Sequence, residues 1–139
     1  MTEYREAIRI LTDSIGRAGY EEISLLEAFG RITGEDITAG ENVPPFDRSP
    51  YDGYAFRAGD TDGVTADKPV TLSVIENIRA GQTASCMVTC GTAIRLMTGA
   101  PIPEGSDAVC KYEDTDYTEE AVSLKREYRP GENIIRAGE

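Results

Sequence analysis

A proline-stiffened polar loop is the first stretch of this sequence whose residue types could do chemistry. Residues 44–55 read Pro-Pro-Phe-Asp-Arg-Ser-Pro-Tyr-Asp-Gly-Tyr-Ala. Asp52-Gly53 favours a hairpin turn, because both positions tolerate positive φ. A turn alone does not account for the density of polar side chains on a stiff segment, which is how proteins hold binding groups at low entropic cost. These side chains are Asp47, Arg48, Ser49 and Asp52.

Two further stretches could bind a ligand, although each also has a purely structural interpretation. Residues 91–105 contain a β-prone run, then Thr98-Gly99, then Pro-x-Pro. The Thr98 hydroxyl and a free backbone N–H beside Gly99 could bind an oxyanion, but a strand end and a turn explain the same residues. Residues 129–139 are typical of a surface loop.

The missing residue types exclude several kinds of active site. The chain has no histidine, which excludes Ser/His and Cys/His nucleophile pairs and most zinc sites. Its three cysteines, Cys86, Cys90 and Cys110, do not form a paired CxxC pattern. We therefore expect three free thiols in a reducing compartment.

Charge and hydropathy narrow the set of partners. The formal net charge is -11, from 14 basic and 25 acidic residues. Such a chain repels phosphate backbones and anionic lipid surfaces, so we expect neither nucleic-acid nor membrane binding. A divalent cation could still bring an anionic substrate to its carboxylates. Without a long apolar run or a signal-peptide core, the chain is expected to be cytoplasmic.

The elements that must position the polar loops are mainly β. Apolar residues at helical spacing predict an amphipathic helix over residues 4–18, and a Ser-x-x-Glu capping box predicts a short helix over 25–29. Short β-prone runs separated by Gly, Pro and Asp predict strands at 54–57, 70–75, 92–97, 108–112 and 121–124. Their spacing favours an antiparallel closed sheet over a parallel βαβ sheet.

The predicted fold class is therefore mixed α/β but mainly β. It comprises a small β-barrel or sandwich-like domain at residues 43–125 and an elongated helical and extended arm. Residues 1–42 and 126–139 are predicted to form that arm.

Three motifs occur in a fixed order along the chain. They are Pro-Pro-Phe-Asp-x-Ser-x-x-Asp-Gly-Tyr-Ala at 44–55, Arg-x-Met-Thr-Gly-Ala-Pro-x-Pro-x-Gly-x-Asp-Ala-Val at 95–109, and Gly-x-Asn-x-x-x-x-Gly-Glu at 131–139. Together with Leu-x-Glu-Ala-x-Gly-Arg at 25–31, they resemble the MoeA family, which includes the gephyrin E domain. The resemblance covers essentially the whole chain. Tyr51 departs from it, because the family usually has Met or another apolar residue there.

The resemblance implies an enzyme of molybdenum cofactor biosynthesis. Members of this family are molybdopterin molybdotransferases, which insert molybdenum from molybdate into adenylylated molybdopterin and release AMP with the help of Mg²⁺. It also implies that Asp52 and Thr98 are catalytic, with Asp52 as a metal ligand and Thr98 and Ser49 as substrate-binding residues. The expected assembly is a homodimer whose subunits share the active site. On this view the arm is an incomplete domain I and the β-rich part is domain II.

The resemblance further implies a fragment that is inactive alone, because family members continue through a pterin-binding domain and a C-terminal β domain. The cations that hold the pyrophosphate are then expected from those domains and from the partner subunit. An alternative is a non-catalytic dimerisation or scaffold module whose loops only pack. Nothing in the sequence specifically favours the receptor-anchoring role of gephyrin.

Overall fold

The chain is described by a computed structural model over residues 3–16 and 19–139. It forms two compact units, Met1–Thr38 and Ala39–Glu139. We call the first the N-terminal unit and the second the β unit.

The N-terminal unit contains helix α1, Tyr4–Ser14, and a short 3₁₀ helix, Leu25–Glu27. Both predicted helices exist, but each is shorter than expected. The α1 helix ends where the hydroxyls of Thr12 and Ser14 donate to helix carbonyls and Ile15 turns extended. Residues 17 and 18 of the predicted helix lie outside the described residues. The Ser24 hydroxyl caps the 3₁₀ helix by accepting from the Leu26 N–H at 3.4 Å.

Apolar side chains of the N-terminal unit lie at the surface. None of its described residues, 3–16 and 19–38, is buried. The exposed large apolar residues of this unit are Tyr4, Ile8, Ile10, Leu11, Ile15, Tyr20, Ile23, Leu25, Leu26, Phe29, Ile32 and Ile37. The unit therefore has no core of its own within these residues.

The β unit is built on one six-stranded sheet. Its strands are β1 Gly53–Phe56, β2 Val70–Ile78, β3 Thr92–Leu96, β4 Ala108–Lys111, β5 Asp116–Tyr117 and β6 Ala121–Leu124. The order across the sheet is β4-β1-β3-β2-β6-β5. Five of these strands were predicted, and β5 was not.

The sheet corrects the predicted pairing. All neighbours are antiparallel except β2 and β3, which run parallel, so the expected all-antiparallel sheet is wrong at this pair. A parallel pair needs a crossover of about a dozen residues, which is usually a helix. Here residues 79–91 make the crossover without a helix. The hydrogen-bonded order also ends at β4 and β5 and does not close.

Both faces of the central strands are covered. One core cluster includes Tyr54, Phe56, Leu72 and Leu124. The second cluster includes Ile94 and Ala55, the residue between Tyr54 and Phe56, and therefore lies on the opposite face of the sheet. All four residues of β1 are buried, because successive side chains point to opposite faces and each face packs against a core. Strand β1 is therefore the rigid centre from which the preceding polar loop extends.

The predicted Asp52-Gly53 turn is wrong, because Gly53 begins β1 and pairs with Leu96 on one side and Lys111 on the other. A Cβ at position 53 would lie 1.8 Å from the carbonyl oxygen of Cys110. Glycine is therefore needed here for the close approach of β4, and not for a turn.

Residues 126–139 were predicted to belong to the arm, but in this structure they cluster with the other unit. This segment belongs to the β unit, where Tyr128 is buried in the first core and Ile134 packs against the second. The Asn133 amide donates to the Val109 carbonyl at 2.8 Å. The segment is held because it satisfies backbone groups beside β4 that would otherwise lack partners.

Candidate active site

The three sequence motifs meet at Arg48. Its backbone N–H donates to the Ile135 carbonyl at 2.9 Å, and the Ile135 N–H donates back to the Arg48 carbonyl at 3.0 Å. On its other side Arg48 forms a second antiparallel bridge with Pro101. The loop of residues 44–52 is thus held between the other two motifs, which are distant in sequence.

Asp47 ties this loop to the third motif. Its carboxylate accepts a hydrogen bond from the Ala137 N–H at 2.9 Å and pairs with the Arg136 guanidinium. The backbone bond from Ala137, followed by the side-chain bond from Arg136, lowers the pKa of Asp47 below its ordinary 3.8. The carboxylate is therefore ionised at neutral pH, and its contacts hold the loop against the third motif.

Ser49 stiffens the same loop from inside. It is buried, and its hydroxyl donates to the Tyr51 carbonyl at 2.6 Å while accepting from the Tyr51 N–H at 3.2 Å. Its backbone joins the second motif, since its N–H donates to the Ala100 carbonyl and its carbonyl accepts from Gly99. The turn that leads to Asp52 is therefore closed by a side chain.

Asp52 and Thr98 lie at the same end of the sheet. Asp52 directly precedes β1, and Thr98 follows the antiparallel neighbour β3 by two residues, so the two loops emerge together. The Thr98 backbone N–H and hydroxyl both donate to Asp52 Oδ1, each at 2.7 Å. This pair of bonds fixes one carboxylate oxygen, while Oδ2 accepts no hydrogen bond from residues 3–16 and 19–139.

The hydrogen bonds from Thr98 keep Asp52 charged. The backbone bond, followed by the side-chain bond, lowers the pKa of Asp52 below its ordinary 3.8, and the positive charge of Arg95 acts weakly in the same direction. Slight desolvation opposes this shift. Asp52 is thus an exposed, oriented anion at neutral pH.

An open cavity of about 500 Å³ lies in front of this carboxylate. The residues that line it are Pro50, Tyr51, Asp52, Thr98, Lys111, Glu113 and Asp114. Three of these carry carboxylates and one carries an ammonium group. The cavity is large enough for a tetrahedral oxyanion with several waters, and its open side leaves room for a larger molecule.

The chemistry of Asp52 fits a partly hydrated Mg²⁺. Magnesium in proteins is commonly held by one or two carboxylates together with waters and substrate phosphates, and Asp52 offers one ionised oxygen free of hydrogen bonds. Among residues 3–16 and 19–139 there is no group of three or more Asp, Glu, His or Cys side chains placed to enclose a metal ion. The described residues therefore form no dedicated protein cage, and a cation at Asp52 would need further ligands from water or substrate.

The structure brings Asp52 and Thr98 together and places Ser49 behind them. Ser49 does not line the cavity, and its hydroxyl donor is used within the loop. The predicted free N–H beside Gly99 is wrong, because the Gly99 N–H donates to the Ser49 carbonyl at 2.9 Å and that of Thr98 donates to Asp52. Thr98 therefore orients Asp52 with the groups that were expected to face an oxyanion.

Sequence reasoning missed Lys111 and Tyr51 as cavity residues. Lys111 is the last residue of β4, and its pairing with Gly53 places it beside Asp52. The signal was a lysine at the end of an otherwise apolar strand. Its proximity to Asp52 follows only from a strand pairing between distant segments.

Cys86, Cys90 and Cys110 are all free thiols, the first two exposed and the third buried. Burial raises the pKa of Cys110 to about 12.

In the described parts of the chain, no helix combines the length and the apolar character needed to cross a bilayer.

Comparisons with known proteins agree on one group. A family model described as the MoeA N-terminal region, domain I and II, matches residues 2–139. The molybdopterin molybdenumtransferase of Bacillus subtilis is 43% identical over an aligned length of 138 residues, and the alignment covers 96% of this chain and 32% of that protein. The molybdopterin molybdenumtransferase 2 of Mycobacterium tuberculosis is 37% identical over 100% of this chain and 34% of its own length.

The similarity extends to three dimensions. The crystal structure of the molybdopterin biosynthesis moeA protein from Pyrococcus horikoshii OT3 superposes with a TM-score of 0.86 at 42% identity, over 98% of this chain and 36% of that one. The chain therefore spans about a third of the length of the relatives it matches.

Proposed function

Since the chain belongs to the MoeA N-terminal region family, we propose that it is the N-terminal part of a molybdopterin molybdenumtransferase. The proposed reaction inserts molybdenum from molybdate into adenylylated molybdopterin and releases AMP. The single observation that carries the proposal within this chain is the ionised Asp52, held by two bonds from Thr98 at the wall of an open cavity. Such an arrangement holds a charge in place before the substrate arrives.

Asp52 is proposed to orient a divalent cation toward the substrate phosphates. A free carboxylate facing a phosphate would repel it, whereas a Mg²⁺ held there would offset the charge of the phosphate oxygens. The free Oδ2 of Asp52 is the atom available for this contact. Thr98 and Ser49 are proposed to act mainly through Asp52, Thr98 by direct hydrogen bonds and Ser49 by closing the loop in front of it.

The assembly is proposed to be a cytoplasmic homodimer whose active site needs residues from both subunits. Support comes from the N-terminal unit, whose described residues expose a series of large apolar side chains and include no buried residue. Contiguous exposed apolar surface commonly marks an interaction site. We propose that this unit is the elongated arm expected from the sequence and that it joins the two subunits of the dimer.

The test is metal insertion by the complete transferase. By this we mean the present chain together with the regions that its relatives carry beyond it, on one polypeptide or on two. Asp52→Asn should lower the rate of molybdenum insertion on the order of a hundredfold or more, as for other preorganised charge-stabilising groups. The melting temperature should change little, because Asn can still accept from Thr98 through its carbonyl oxygen.

Controls separate this proposal from a scaffold role. Thr98→Ala should reduce the rate less than Asp52→Asn, since it removes a positioning bond and not the charge. Asp67→Asn changes an exposed carboxylate outside the cavity and should leave the rate unaltered. Near-normal insertion by Asp52→Asn would favour the scaffold interpretation, and turnover by this chain alone would refute the proposed need for the remaining regions.

A further inference from the structure

Lys111 is placed beside Asp52 by the backbone of the sheet. It ends β4 directly opposite Gly53, and the next residue, Tyr112, donates its N–H to the Asp52 carbonyl at 3.0 Å. Directly opposite residues of an antiparallel pair project to the same face, and Gly53 has no side chain to compete for the space. The Lys111 side chain is half-buried and lines the same cavity as Asp52 and Thr98.

The ammonium group of Lys111 lies over an aromatic ring. Its Nζ is 4.3 Å from the centroid of the Tyr51 ring, within the range of a cation–π interaction. No carboxylate oxygen of residues 3–16 and 19–139 lies within 4.0 Å of this nitrogen. The contact therefore restrains the ammonium group while its hydrogen-bond donors remain unused by the described protein.

This arrangement differs from that of a lysine that neutralises neighbouring carboxylates. Glu113 and Asp114 line the same cavity, yet Lys111 forms an ion pair with neither of them. A surface ion pair contributes little and costs side-chain entropy, so its absence is not unusual in itself. The distinguishing feature is that the ring of Tyr51, on the same loop as Asp52, holds a cation at the cavity wall.

We propose that Lys111 binds an anionic oxygen of the substrate beside Asp52, and that Tyr51 positions it. The ligand class is a tetrahedral oxyanion, either molybdate or a phosphate group of the pterin nucleotide. A lysine binds such an anion as a point charge with charge-assisted hydrogen bonds. This inference rests on the proposed function, and it adds a cation of this chain to those that are expected to hold the pyrophosphate from the remaining domains and the partner subunit.

The experiment uses the complete transferase and two kinds of measurement. Steady-state kinetics would give the KM for molybdate and the KM for adenylylated molybdopterin, while calorimetric titration with inorganic molybdate or inorganic phosphate alone would give anion affinity without turnover. Lys111→Met should raise one KM and the matching Kd about tenfold, the loss expected for one charged hydrogen bond. An effect confined to molybdate would identify that source, and one confined to the nucleotide and phosphate would identify the other.

Three further variants separate binding from folding. Lys111→Arg should recover part of the lost affinity, because it restores the charge but not the shape of the ammonium group. Tyr51→Leu should raise the same constants by a smaller factor, since the charge stays but is no longer positioned. Lys68→Met removes an exposed lysine outside the cavity and should change neither constant.

The outcomes separate this inference from the proposed function. If the wild-type protein inserts molybdenum while Lys111→Met leaves every KM and Kd unchanged, only the inference about Lys111 is overturned. Anion binding that depends on Lys111 without any metal insertion would support the inference and refute the proposed function. A wild-type protein that neither binds these anions nor inserts molybdenum would refute both.

Discussion

The two units of this chain use apolar residues in opposite ways. In the β unit, residues such as Phe56 and Leu72 are fully buried on the faces of one sheet. In the N-terminal unit, residues of similar size such as Phe29 and Ile32 are fully exposed. The hydrophobic effect stabilises a fold only through surface that is removed from water, so the β unit contains its own source of stability. The N-terminal unit must obtain cover from another surface.

This contrast has a functional consequence. The cavity, Asp52 and the loops that hold it all belong to the β unit, where packing can keep a carboxylate oriented before substrate arrives. The division agrees with the proposal that one unit presents the site and the other joins subunits.

The largest expected effect on stability comes from removing one buried aromatic side chain of the β unit, compared with an exposed one of the N-terminal unit. Phe56→Ala should lower the free energy of unfolding by about 3–5 kcal/mol, because the ring is fully buried and packs edge-on against Tyr128. Phe29→Ala removes the same side chain from an exposed position and should change the free energy of unfolding of the monomer by less than about 0.5 kcal/mol. Urea denaturation of this chain, followed by circular dichroism at low protein concentration, would measure both.

Raising the protein concentration sharpens the same comparison. If the N-terminal unit is covered in a dimer, Phe29→Ala should weaken self-association, as measured by analytical ultracentrifugation, while Phe56→Ala acts at every concentration. Equal destabilisation by the two variants in the dilute monomer would remove the distinction between the units.

Much of the β unit could be predicted from local sequence. Strands β2, β3, β4 and β6 are short β-prone runs bounded by Gly, Pro and Asp, and their predicted ends differ from the observed ones by three residues at most. Strand β5 was missed because Asp116–Tyr117 is short and exposed, without an apolar pattern. The parallel pairing of β2 with β3 was missed because residues 79–91 carry no helical pattern that would signal a crossover.

The site was predictable as residue types but not as contacts. Asp52 and Thr98 stood out within their motifs, yet the bond between them depends on the pairing of β1 with β3. Gly53 looked like a turn residue, because the Cys110 carbonyl that requires glycine lies in a strand far along the chain. Lys111 was missed for the same reason.

A smaller effect is expected from adding one methyl group in each unit. Gly53→Ala would place a Cβ against the Cys110 carbonyl oxygen and should cost about 1–3 kcal/mol as β1 and β4 move apart. Gly16→Ala in the N-terminal unit would place its Cβ in open space and should be close to neutral. Thermal melts of the two variants, measured in parallel, would compare them. A neutral Gly53→Ala would show that the close approach of β4 is not required.

The smallest expected effect is the loss of one ion pair in each unit, and its dependence on pH distinguishes the two pairs. Asp47 pairs with Arg136 in the β unit, and Glu21 pairs with Arg31 in the N-terminal unit. The folded pKa of Asp47 lies below its unfolded value, so its contribution to stability is present above the unfolded pKa. That contribution is lost as the pH falls from about 5 towards the depressed folded pKa.

Asp47→Asn should therefore lower the urea midpoint at pH 7 and converge with the wild-type protein at low pH. The convergence follows because protonation removes from the wild-type protein the charge that the variant already lacks. Glu21→Gln should leave the urea midpoint unchanged at both pH values, since the two side chains of the Glu21–Arg31 pair are more than half exposed and such pairs contribute little. A constant difference between Asp47→Asn and the wild-type protein across this range would show that the loop is held by the shape of the side chain and not by its charge.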